Sequence, residues 1–119
     1  MGVLVGFVAA GVSVRAADSV GNTALHGAAY GCDGASVALL VALGADVNGK
    51  NKWGQTPLHK APISNNISAM KALVAAGADV RERTTNEHNE TPIEAARRQK
   101  HMGFATECAA ACAARDGGR

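Results

Sequence analysis

The sequence predicts an all-α fold of stacked helix-loop-helix units, a solenoid with one continuous apolar seam. Three observations predict it. Thr23-Ala24-Leu25-His26 is answered by Thr56-Pro57-Leu58-His59, and Gly44-Ala45-Asp46-Val47 by Gly77-Ala78-Asp79-Val80, each 33 residues on (56 − 23 and 77 − 44). A fixed period of that size belongs to repeat architectures, in which each unit buries its apolar face against its neighbours. Within a period, apolar residues such as Val37, Leu40 and Val41 recur at i, i+3 and i+4, which is one face of a helix. Hydrophobic residues make up 47% of the 119, yet aromatic ones only 3%. The core must therefore be made of Ala, Val and Leu, side chains small enough for thin, closely packed helices.

One domain accommodates the chain, with residues 1–114 as the repeat domain. Residues 1–17 read as a half repeat, because Leu4, Phe7 and Val8 stand one period before Val37, Leu40 and Val41. Gly11 falls where a helix ends in a left-handed glycine. This start carries no polar cap, so its apolar face leaves open a homodimer packed through Leu4, Phe7 and Val8, as in a self-associating fragment of a longer array. The same stretch, MGVLVGFVAAGVSV, is apolar enough to resemble a signal peptide, with Val14-Arg15-Ala16 as its cleavage site. It lacks the basic residues that normally precede such a run, and it keeps the repeat register, which favours a structural helix.

The first full repeat spans 18–50. Gly21 supplies its turn, and Thr23 stands at the N-terminus of a helix over about 24–31, where its hydroxyl accepts a free backbone N–H. Leu25, Ala28 and Ala29 face inward, and a second helix over about 34–43 is closed by Gly44. The second repeat spans 51–83. Pro57 occupies the first helical turn, where a missing N–H is harmless. Leu58, Ala61, Met70, Leu73 and Val74 repeat the core positions. Pro62, by contrast, falls within the first helix, so that helix is expected to be kinked or shortened.

The third unit, 84–114, is a degenerate terminal repeat. Thr91-Pro92-Ile93-Glu94 keeps the opening, but at an offset of 35 (91 − 56), so the preceding loop has grown by two residues. Asn89 replaces the turn glycine, since Asn tolerates positive φ, and Glu94 replaces the histidine. A second helix over roughly 103–114 is expected to turn Ala105, Cys108 and Ala109 inward, with 115–119 as a disordered tail.

The Thr-Pro-Leu-His opening and Gly-Ala-Asp-Val close resemble the ankyrin repeat family over about residues 3–104. The resemblance implies a non-catalytic protein-protein interaction module without a cofactor, whose partner lies along the concave face made by loop tips and the outward side of the first helices. Position by position, that face holds Ser19, Val20, Asn22 and Tyr30 in the first repeat. The second repeat adds Lys50, Lys52, Trp53, Gln55, Lys60 and Ile63, and the third Glu87, His88, Glu90, Arg98 and Gln99. The partner-binding candidates among these are Tyr30, Lys50, Lys52, Trp53, Gln55, Lys60, Ile63, His88 and Arg98. Trp53 and Tyr30, the single Trp and Tyr of the chain, would be the anchors, since aromatics are enriched among interface hot spots. The lysines and Gln55 would suit a locally acidic protein partner.

Other chemistries find little support. A net charge of +2 is too small to argue for nucleic acid or an anionic surface. No apolar run reaches the roughly 18–20 residues of a membrane span. Three cysteines, Cys32, Cys108 and Cys112, make no disulfide framework and suit a reducing, cytoplasmic compartment. Export would follow instead if residues 1–16 acted as a signal. His26 and His59 sit one repeat apart and recur with the fold, and no third ligand joins them. Cys108 and Cys112 lie i, i+4 with no further ligand at metal spacing, and read as small core filler. Glu87, Glu90 and Glu94 with His88 fall in the enlarged loop and at a helix start, where acidic residues suit the dipole. Arg97, Arg98, Lys100 and His101 suit a helix C-terminus for the same reason. No nucleophile with a base partner stands out, so an enzyme is not expected.

Overall fold

The computed structural model describes residues 15–117, so Leu4, Phe7, Val8 and Gly11 lie outside the described residues. Among these residues six α-helices follow one another: α1 Ala24–Gly31, α2 Gly34–Ala42, α3 Pro57–Lys60, α4 Ile67–Ala75, α5 Pro92–Arg98 and α6 Met102–Gly117. Among the described residues there is no strand, only an isolated bridge between Ala17 and Thr23. The first helices α1, α3 and α5 stack in one row and the second helices α2, α4 and α6 in another. Leu25, Val37, Leu40, Leu58, Met70, Leu73 and Phe104 fill a single buried cluster between the rows.

Local chemistry explains where most of the helices start. Thr23 takes extended backbone geometry before α1, and its hydroxyl accepts the N–H of His26. The side-chain oxygens of Asp33 and Asn66 cap α2 and α4, accepting the N–H groups of Ser36 and Ala69. At Thr91, hydroxyl and Glu94 carboxylate exchange bonds with each other's backbone N–H, closing a capping box. Pro62 has the expected effect. The α-helix stops at Lys60 and Ala61–Ser64 continues as a 3-10 turn, because Pro62 has no N–H to offer the preceding turn.

Helix ends share one motif. Gly44 and Gly77 take positive φ, and each is followed by an alanine N–H reaching back five residues, Ala45 to Leu40 and Ala78 to Leu73. After α5 the left-handed place falls to Lys100 (φ 64), with His101 N–H donating to the carbonyl of Ala96. Asn89 takes φ 42, filling the turn-glycine position as expected.

Two histidines tie the units together. The Nδ1 of His26 accepts the backbone N–H of Thr23 at 3.1 Å, so the ring proton sits on Nε2 and is donated to the carbonyl of Gln55 at 2.8 Å. His59 repeats the arrangement with Thr56 N–H at 3.0 Å and Glu90 carbonyl at 2.9 Å. Burial lowers the pKa of both rings, ahead of their hydrogen bonds to carbonyls, which act the other way. The neutral form is the one the geometry needs.

The terminal unit differs from expectation in three ways. Ala109 is exposed, and the inward residues of α6 are Phe104, Ala105 and Cys108, with Phe104 fully buried. One position before Ala105, the equivalent residues of the earlier units are the small Ser36 and Ala69, so Phe104 refills a place the register assigns to a small side chain. Second, α6 continues through Gly117, where the sequence placed a disordered tail from 115. Arg115 donates from one guanidinium nitrogen to the carbonyls of Val74 and Ala78, both at 2.9 Å, bonding the carbonyls at the end of α4. Residues 118–119 lie outside the described residues. Third, Glu94 keeps the acceptor role of histidine toward its own cap, but its second contact is a two-point bond from Arg83.

Candidate functional site

The loops between units set the site. Backbone bonds join successive tips, Lys52 N–H to Val20 carbonyl at 2.9 Å and Thr85 N–H to Trp53 carbonyl at 2.8 Å. The approach is closest at Gly54 (φ +73), where an added Cβ would stand 2.6 Å from the nitrogen of Thr85. Asn51 fixes the same tip from inside. Its carbonyl oxygen accepts the N–H groups of Trp53 and Gln55, and its amide donates to Asn22 and to the side chain of Gln55. The Trp53 backbone is thereby held from both sides, and its ring is presented on a tip that has little freedom.

Two clefts open along the face formed by these tips and the first-helix row. One, about 530 Å³, is lined by Trp53, Gln55, Lys60, Asn86, Glu87 and His88. The other, about 330 Å³, is lined by Asp18, Asn22, Gly27, Tyr30, Lys60 and Ile63, with His26 at its floor. Lys60 lines both, so the two clefts adjoin at this side chain and form one groove. Large apolar side chains stand open along it: Tyr30 is 52% exposed, Ile63 40% and Trp53 39%.

The structure thus brings together six of the nine candidates: Tyr30, Trp53, Gln55, Lys60, Ile63 and His88. Lys52 stands beside them with its ammonium 5.3 Å from the centre of the Trp53 ring, within cation-π range. Lys50 does not line the groove; it pairs with Glu82. Arg98 is bound at two points to the buried carboxylate of Glu90, its Nη2 at 2.8 Å and Nε at 3.0 Å. That bond raises the arginine's pKa further. Asp18, Gly27 and Asn86 join the groove without having been singled out. Asp18 and Asn86 sit in turns, where their carboxylate and amide oxygens accept N–H groups of their own loops, and such local roles gave no sign of a shared cleft.

The other constellations take structural places. Glu94 is held below the usual carboxylate range by the bonds from Arg83 and then by Thr91. Cys108 is fully buried, and burial pushes its thiol up to about 11, which removes the thiolate that redox or metal chemistry uses. Among the described residues no three His, Cys, Asp or Glu side chains converge to hold a metal ion. Nor is any described helix long and apolar enough to cross a membrane.

Comparison with curated proteins gave no match. Among protein-family models, that for ankyrin repeats in three copies matches residues 25–110, from the first core leucine to the middle of α6. With a 33-residue period, two stacked helix rows and a buried histidine tying each full unit to the next, the chain belongs to the ankyrin repeat family.

Proposed function

We propose that this chain binds a partner protein in the groove that Lys60 divides, with Trp53 on one side and Tyr30 and Ile63 on the other. Ankyrin repeats are generally protein-protein interaction modules and generally non-catalytic, and the proposal adds the face. One observation carries it: the chain's only Trp and only Tyr stand exposed along one groove, on tips and helices fixed by inter-unit bonds. Exposed apolar area rimmed by polar groups is characteristic of interaction sites. A surface already rigid loses little conformational entropy on binding, which leaves more of the contact energy as affinity.

The test is affinity capture from the source lysate with the wild-type chain and with Trp53→Ala side by side. The proposal expects proteins retained by the wild type to be lost by the variant while its helical circular dichroism stays the same. Unchanged capture by a folded Trp53→Ala chain would place the interface elsewhere.

A further inference from the structure

Lys60 differs from the other basic side chains singled out on this face. Lys50 is paired with Glu82, Arg98 with Glu90, and Lys52 with the Trp53 ring. Lys60 has no carboxylate within ion-pair distance among the described residues, although it is only partly exposed. Burial pulls its pKa down, and the more distant Asp18 only partly opposes that. Asp18 is itself held in its own turn, accepting the N–H groups of Val20 and Asn22 at 3.0 and 2.9 Å. Glu87 lines the far cleft but is turned to solvent beside His88. A partly buried lysine without a carboxylate at ion-pair distance suits a carboxylate brought by a partner, and apolar side chains line the clefts on both sides of it.

We infer that the groove takes an extended segment of a partner protein, with an Asp or Glu side chain paired to Lys60 and apolar side chains beside Trp53 and beside Tyr30 and Ile63. The acid belongs inside the segment and not at a chain end, because clefts continue on both sides of the lysine and a terminus there would leave one of them empty. This rests on the protein-binding reading above and gives it a chemistry.

A random-peptide library displayed on phage, selected against the whole chain, tests the two claims separately. Enriched peptides should share an acidic residue between apolar ones and should quench or shift the fluorescence of Trp53. Changing the acid to its amide in the peptide, or Lys60→Met in the protein, should each weaken binding by about tenfold or more, and the two changes together little further. The peptide-side change leaves the protein untouched, so it stands even if Lys60→Met folds poorly. Peptides that need Trp53 but carry no common acid, or that ignore both the amide change and Lys60→Met, would overturn the carboxylate pairing and leave the groove standing. Peptides indifferent to Trp53→Ala and Lys60→Met alike, or a selection that enriches nothing, would overturn both.

Discussion

His26 and His59 hold the stack only as neutral rings. Each uses Nδ1 as acceptor within its own unit and Nε2–H as donor to the next. A proton added to Nδ1 would face a backbone N–H that can only donate. The ordinary imidazole pKa is 6.5, and burial lowers it in the folded chain. Between those values the unfolded chain binds a proton that the folded chain refuses. The stability these rings contribute is therefore complete above about pH 6.5 and is lost as pH falls from there through the lowered folded value. Urea unfolding at a series of pH values should show that decline. His59→Ala should lose about 2–4 kcal/mol at pH 7.5, since Thr56 N–H and Glu90 carbonyl both lose a buried partner, and its decline below pH 6.5 should be shallower. The recurrence of His26 and His59 one repeat apart made a structural role, as against a ligand site, legible. What it did not disclose was the partner of Arg98, because a two-point bond to Glu90 depends on how the enlarged loop folds back.

At the scale of elements, loop tips and helix ends use glycine for different reasons, and substitution separates them. Gly77 takes positive φ at the end of α4 with nothing near an added Cβ, whereas Gly54 takes it directly against the next tip. Gly77→Ala should lose only the left-handed penalty of about 1–2 kcal/mol. Gly54→Ala adds a backbone clash with Thr85 and should lower the unfolding midpoint distinctly more. The terminal unit offers a second contrast. Its helix looks like small-residue filler, but Phe104 is wholly buried and anchors it. Phe104→Ala should remove about 3–5 kcal/mol and loosen α6 first, seen as faster amide exchange there than in α2. Helix order was legible from the repeat, and the break at Pro62 and the left-handed Asn89 from the chemistry of those two residues. Phe104 and the reach of α6 to Gly117 were not. Register carried forward from the earlier units predicts a small residue at the first, and the second depends on Arg115 meeting carbonyls far away in sequence.

On the scale of the whole molecule, stacking turns separate tips into one surface. The backbone bonds from Lys52 to Val20 and from Thr85 to Trp53 fix the spacing of the tips, so Tyr30, Lys60 and Trp53, which come from different positions in two repeats, border a single groove. The family resemblance implies that such residues share a face, but it carries no information on which charges are already neutralised within the chain. Lys50 and Lys60 were given the same role from the sequence, and only their neighbours distinguish them. The most direct measurement compares the wild-type chain with a Tyr30→Ala, Trp53→Ala double variant, determining the Kd for a captured partner and the urea midpoint of each. Affinity reduced by about a hundredfold or more with the midpoint unchanged is the predicted result. A lowered midpoint with affinity intact per folded molecule would mean that both rings serve packing, and would contradict the account.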